Sequence, residues 1–394
     1  MKSETKSLLV VSHVQHYLWE DKIWAFGAYA REIDIWADLF DTVTIASPCA
    51  RMQPPGDNLP MTRSNISISP IDIKGGGDGL IKKMQVLISL PKVAFTLGTL
   101  MRKAWAIHLR LPGNLGAIGA VMAPFFSERI IAKYAGTWPD FSGEPLSYRI
   151  QKGILKSRLF KGPVTVYGNW PAQPDHIIPF FTSILSKDQI ENAHQAALNR
   201  SLHHPPRILF VGRMDKGKNA HLLLDALHEL KNSGFSFLAR FIGDGAESEM
   251  LHRQSEDLDL ENQVVFTGAI PFSHVLENYY WGDILVLASE NSEGWPKAIA
   301  EAMAHGLVCF GSGRGLIPQM LADGRGIVIW PVTAQKLADA LKSLFNNPSQ
   351  YPAISAQAAA WSQAYSLDGL REAICHLLIE TWHLPANTFD LRVE

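Results

Sequence analysis

The sequence predicts an α/β protein of two domains, each built on a parallel sheet. At 394 residues the chain exceeds one ordinary hydrophobic core. Short apolar runs without polar alternation, the pattern of strands buried on both faces, recur between stretches of helical periodicity. Several of these runs end in a glycine turn, the usual join between a strand and the helix that follows it. A content of 47% apolar and 19% charged residues belongs to a globular chain and excludes a disordered one.

In the first half, strands are expected over 8–12, 42–46, 66–71, 106–111, 129–134 and 164–167, with helices or loops between them. The last of these gives way to a polar, His- and Pro-containing stretch over 181–204, and Pro205-Pro206 forms a hinge edge. The domains are therefore 1–185 and 186–366. In the second half, the apolar run from Arg207 enters the basic loop Gly212-Arg213-Met-Asp-Lys-Gly-Lys218, and a Leu-rich helix over 221–230 follows. Further strands end at Gly243-Asp244-Gly245 and at Gly268, with Ile270 just beyond. A further strand over 283–289 leads into a loop and a helix over 296–305, with Pro296 in the first helical turn, where its missing N–H costs nothing. An amphipathic helix over 367–383 closes the chain.

Chemistry concentrates in Ser289-Glu-Asn-Ser-Glu293-Gly294-Trp295-Pro296-Lys297-Ala-Ile-Ala-Glu301. Glu293 falls in a strand-to-helix loop and Glu301 one and a half turns inside the helix, roughly 8–12 Å away at ~1.5 Å per residue. Carboxylates that far apart can accept hydroxyl hydrogen bonds at two ends of one extended ligand, while the N–H groups of Gly294, Trp295 and Lys297 at the helix N-terminus can meet an anion. The same spacing also fits a solvated Glu followed by a helix with one acidic residue on its face. The loop holding Arg213 and Lys218 supplies a planar fork and a point charge for phosphate oxygens, although two such charges in isolation also fit solvated side chains on the surface.

The ordered set Arg213 and Lys218, Gly243-Asp-Gly245, Phe266-Thr-Gly268, Glu293-Gly-Trp-Pro296 and Glu301-Ala-Met-Ala-His-Gly306 resembles glycosyltransferase family 4, the retaining GT-B enzymes, over residues 207–344. The resemblance implies a GT-B fold, two Rossmann-like β/α/β domains facing a central cleft, with the last helix, about 367–394, returning to the first domain. It implies that Arg213, Lys218 and Glu293 form the catalytic set, the cations on a departing diphosphate and Glu293 on the transferred sugar. Glu301 would bind the nucleotide ribose, and Gly212, Gly243, Gly268, Ile270, Gly294, Trp295, Pro296 and Lys297 would complete the donor site. The expected co-substrate is a nucleotide diphosphate sugar, with no metal, other cofactor or nucleic acid. Two departures stand out: the family's Gly-x-Pro-Glu becomes Gly315-Leu-Ile-Pro318-Gln319, and the usual glycine pair of the first domain is reduced to Gly27. Another GT-B enzyme, an epimerase or a phosphorylase, and a non-catalytic glycan- or lipid-binding subunit remain as alternatives.

Charge divides unevenly. Through Leu185 there are 20 Lys and Arg against 14 Asp and Glu; beyond it there are 16 against 24, so a first half of +6 meets a second half of −8. Segments 79–113 and 148–161 carry basic residues among apolar ones with no acid, a composition for lying on anionic lipid as well as for a core helix with solvated lysines. A lipid-linked or polysaccharide-precursor glycan acceptor at the membrane surface is the expected partner. Arg110 and Asn114, just past a strand, are expected with Gly27 at the acceptor side, on the carboxyl edge where such sheets bind ligands. Three cysteines without metal spacing and a short apolar start lead to the expectation of a cytoplasmic protein, peripheral on the inner membrane face. Asp257-Leu-Asp259 reads as a surface helix end, and Gly75-Gly-Gly-Asp-Gly79 as a plain loop.

Overall fold

In a computed structural model, residues 5–71, 80–141, 143–290 and 293–389 are described, the side chains of 80–87 excepted. The chain divides into one unit of Met1–Ile184 with Leu367–Glu394 and a second of Leu185–Ser366.

The first unit opens with β1 (Ser7–Val11), the hairpin β2 (His16–Trp19) and β3 (Lys22–Phe26), and helix α1 (Gly27–Leu39). Strands β4 (Thr42–Ser47), β5 (Cys49–Ala50), β6 (Asn58–Pro60) and β7 (Ile66–Pro70) follow, then α2 (Leu80–Met101), β8 (Ala106–Leu111) and α3 (Asn114–Met122). Strand β9 (Ile130–Tyr134), α4 (Leu146–Lys156), β10 (Val164–Tyr167) and β11 (Ile177–Phe180) complete this part. Seven strands form a parallel sheet in the order β11-β10-β9-β8-β1-β4-β7. Its central strands are buried along nearly their whole length because both faces are covered: Leu8, Val10 and Ile131 pack with α1 on one side, and Leu9, Val11 and Leu109 with α2 to α4 on the other.

All six strands expected in this half occur within a residue or two of their predicted bounds. A four-stranded sheet, β5-β2-β3-β6, was not foreseen. Its strands come from the connections after β1 and β4, the carboxyl edge of the parallel sheet.

The second unit contains α5 (Lys187–Ala197), β12 (Arg207–Val211), α6 (Ala220–Asn232), β13 (Leu238–Ile242), α7 (Ser248–Asp257), β14 (Val264–Gly268) and α8 (Phe272–Trp281). It continues through β15 (Ile284–Leu287), α9 (Lys297–Ala304), β16 (Val308–Ser312), α10 (Ile317–Leu321), β17 (Gly326–Ile329), α11 (Ala334–Asn346) and α12 (Tyr351–Ser362). The parallel sheet runs β14-β13-β12-β15-β16-β17, so β12 and β15 are neighbours although about 75 residues apart in sequence. The final helix, α13 (Leu367–Thr381), packs on α1 of the first unit through Leu370, Ile374 and Leu378. Among the described residues no helix is long and apolar enough to cross a membrane.

Candidate active site

Adjacency of β12 and β15 brings the basic loop and the glutamate loop together at the carboxyl edge of the second sheet. Lys218 Nζ donates to Glu293 Oε1 at 2.5 Å, and Ser289 Oγ donates to the same oxygen at 2.8 Å. Both bonds fall on one carboxylate oxygen, which fixes the side chain and leaves Oε2 for a ligand. The loops are also joined by backbone: Glu290 N–H donates to Gly217 O at 2.9 Å. Asn219, in the left-handed region at φ 52°, turns its amide onto Ala288 O at 3.1 Å. Asn is one of the few side-chain-bearing residues that adopt this conformation cheaply, and it does so directly after Lys218.

The floor beside this pair is backbone. Gly212 N–H donates to Ile242 O and Gly243 N–H to Gly268 O, at 3.0 and 2.9 Å, so three strand ends meet through glycines. A Cβ on Gly243 would lie 2.0 Å from Gly212 O. Ile270 follows Gly268 in the half-buried loop after β14. Behind the pair, Gly315, at φ +55°, abuts the glutamate loop so closely that a Cβ there would lie 2.1 Å from Glu293 O, and Leu316 N–H donates to that oxygen at 3.0 Å.

Other predicted site residues take less connected positions. Arg213 is 80% exposed and pairs with Asp215 at 2.9 Å rather than with Lys218 or Glu293. Glu301 is buried at 6% exposure, inside α9, and accepts a 2.8 Å bond from Tyr279 Oη. Burial, reinforced by the Glu301 charge, pushes the Tyr279 phenol well above its ordinary value, so it stays protonated as the donor. Trp295 stacks on Trp361 at 6.1 Å and meets Tyr365 edge-on at 5.4 Å, which anchors the Gly294-Trp295 bend from behind. Pro296 caps α9 from just outside the helix instead of occupying its first turn, because α9 begins at Lys297. Sequence reasoning gave no role to Ser289, Asn219 or Tyr279. Ser289 and Asn219 are adjacent to motif residues, whereas Tyr279 is signalled by nothing near Glu301 in sequence.

In the first unit, Arg110 sits inside its strand and not just past it. It lies within β8, buried, with Nη1 on Glu32 Oε1 at 2.6 Å, and Lys133 Nζ holds Glu32 Oε2 at 2.8 Å. Burial alone would raise the Glu32 carboxyl, but the pull of Arg110 and Lys133 overrides it and holds it far below the carboxylate range. Burial lowers the Lys133 ammonium to about 8 against the raising effect of Glu32. The guanidinium of Arg110 is thus committed to an internal ion pair. Asn114 opens α3 and is exposed; Gly27 opens α1 and is buried.

The basic segment 79–113 is no single surface helix. It comprises α2 and the buried β8, and its Lys82 and Lys83 side chains lie outside those described, as does the loop 75–79. In 148–161, Lys152 is buried against Asp140 and Glu144 at 2.8 and 2.6 Å, so it does not contribute to a basic face.

Residues 194–361 match the glycosyl transferases group 1 family. An uncharacterized glycosyltransferase of Haemophilus influenzae is 27% identical over 42% of this chain and 46% of its own length. The amylovoran biosynthesis glycosyltransferase AmsK of Erwinia amylovora is 33% identical over 32% of each chain. The chain spans about half the length, or less, of these curated relatives. HepE of Anabaena, solved with UDP and glucose, superposes with a TM-score of 0.65 at 18% identity over 95% of this chain and 99% of its own. That likeness fixes the fold as GT-B.

Proposed function

We propose that this chain, whose residues 194–361 form a glycosyl transferases group 1 domain, moves a hexose-type sugar from a nucleoside diphosphate donor to an acceptor hydroxyl. It does so with retention of anomeric configuration and without a bound metal. The Lys218–Glu293 contact carries this reading: a cation for the leaving group and a carboxylate for the sugar meet on neighbouring loops of one sheet edge. The bond from the anomeric carbon to the diphosphate breaks, the electron pair leaves on the phosphate oxygen, and Lys218 and Arg213 take up the growing charge. The acceptor oxygen bonds to the anomeric carbon and its proton passes to the leaving phosphate. Electrostatic groups already in place need not reorganise as charge develops, so loss of Lys218 should cost on the order of 10²-fold in rate or more. Glu293 Oε2 accepts sugar hydroxyls, Glu301 takes the ribose, and the glycine floor lets the nucleotide approach backbone.

Thermal shift with a panel of nucleoside diphosphates and nucleotide sugars tests this. A ligand at 100 times its dissociation constant adds ~2.7 kcal/mol. One preferred base, lost in Glu301→Ala and Lys218→Met, is the expected result. No shift with any nucleotide would overturn the reading in favour of a non-catalytic glycan- or lipid-binding subunit, and epimerised nucleotide or phosphate dependence would point to the other GT-B enzymes.

The acceptor side of the proposal is a polysaccharide precursor or lipid-linked glycan at an anionic membrane surface, which makes the protein cytoplasmic and peripheral. What supports it is a face of the first unit where α3 packs beside both α2 and α4. Phe95 on α2, Phe125 after α3, and Leu146 and Ile150 on α4 are exposed, with Lys92 and Arg149 exposed on the same helices and Arg158 exposed just past α4. Sedimentation with phosphatidylglycerol vesicles at low salt, abolished by Phe95→Asp with Phe125→Asp, is the expected result. Equal sedimentation of that variant would exclude this face.

A further inference from the structure

The glycine turn after β16 carries one side chain, Arg314, between Gly313 and Gly315. Its guanidinium carbon lies 4.4 Å from the ring centroid of Trp330, just past β17, and that ring packs so closely on the turn that a Cβ on Gly313 would lie 3.0 Å from it. Trp330 is nonetheless 49% exposed, so this is a surface platform and not a core contact. Stacking holds the guanidinium plane and leaves its fork free to meet a planar anion. The fork now touches Glu290, Nη2 to Oε1 at 3.0 Å, and the Glu290 side chain is 59% exposed. An exposed pair of this kind is weak and readily exchanged. Among the described residues the buried Arg314 Nε has no partner, and neither has the wholly buried Ser312 Oγ at the foot of the turn. Native chains keep few such donors unused.

The position of the turn along the sheet gives the ligand chemistry. The order β12-β15-β16-β17 sets the loops in a row: Lys218, then Glu293, then Arg314, then Trp330. Two cations therefore flank a hydroxyl-accepting carboxylate along one edge. A neutral nucleotide hexose has an anion only on the Lys218 side of its sugar. We propose that Arg314, braced by Trp330, binds a carboxylate on the transferred sugar, and that the donor is a nucleotide-activated hexuronate. This rests on the donor-site reading of Glu293 and Lys218. When the hexuronate binds, its carboxylate replaces Glu290 on the guanidinium fork and Glu290 moves into water.

Calorimetric titration of the full chain tests the assignment, using UDP, UDP-glucose and UDP-glucuronate, and in parallel GDP, GDP-mannose and GDP-mannuronate, with each free nucleoside diphosphate as the reference for its own series. In the series whose diphosphate binds, the hexuronate should bind about tenfold or more tighter than the neutral hexose. Arg314→Ala should erase that ratio, Arg314→Lys should retain only part of it because a point charge lacks the fork, and Glu290→Gln should increase it. Equal affinity for hexose and hexuronate in the unmodified protein, or a ratio that survives Arg314→Ala, overturns the proposal while leaving the donor site standing. Where neither UDP nor GDP binds, the same pair of sugars is compared on whichever nucleoside diphosphate of the wider panel does bind, and absence of binding by every nucleoside diphosphate overturns the donor-site reading as well.

Discussion

Glu32 accepts Arg110 on one carboxylate oxygen and Lys133 on the other, so its loss would strand two buried cations. Glu32→Gln should therefore destabilise the first unit by about 3–5 kcal/mol, the usual cost of breaking a buried pair from one side, as read by urea denaturation. The sign with pH follows from its depressed carboxyl. The stabilisation is complete above the unfolded carboxylate value of ~4.3 and drains away only as pH falls below it. Sequence reasoning found Arg110 but placed it on an edge, because Glu32 is 78 residues away and no local pattern links them. The opposite held for Lys218 and Glu293, 75 residues apart in sequence. Each lies in a motif whose spacing can be read locally, and the parallel sheet supplies the meeting.

At the scale of elements, glycine geometry decides what the second unit tolerates. Gly243 adopts φ +129° and a Cβ would meet the Gly212 carbonyl at 2.0 Å, so Gly243→Ala must separate β12 from β13 at their carboxyl ends. A loss of ~1–3 kcal/mol in stability, with nucleotide binding weakened beyond what the stability change explains, is the expected outcome in paired melting and titration experiments. The parallel strands of both units were legible because doubly covered strands form largely apolar runs. The β2–β3 hairpin was not, for a specific reason. Its two-residue turn is Glu20-Asp21, both at positive φ, 49° and 56°, where Asn-Gly would have announced a type I′ turn. Neither Glu20 nor Asp21 is at ease there, so replacing the pair by Asn-Gly should raise stability by about 1 kcal/mol; an unchanged or lowered melting temperature would contradict the turn geometry. Trp19 and Phe26 on these strands remain exposed, which broke the alternation that marks a half-buried strand.

Across the whole molecule, each unit encloses a histidine held neutral. Burial, with the charge of Arg110 adding to it, lowers His16 to about 4 in the first unit. In the second, burial lowers His305 to about 4, against the raising effect of its 2.7 Å bond to Glu301 O. Unfolding restores both imidazoles to ~6.5. Between that value and about 4 the unfolded chain therefore binds more protons than the folded one, and stability falls as pH falls, by up to about 1.4 kcal/mol per pH unit for each group. The Glu32 ion pair adds to this decline only at its acid end, since its carboxyl titrates at ~4.3 in the unfolded chain and far lower in the folded one. Calorimetric melting between pH 7 and 4.5 should consequently show a decline that begins near 6.5 and appears in the transitions of both units. A decline confined below 4.5 would mean that carboxylates alone govern acid unfolding and that His16 and His305 are protonated in the folded protein. A limb present in one unit and absent from the other would locate which of the two sites opens to water.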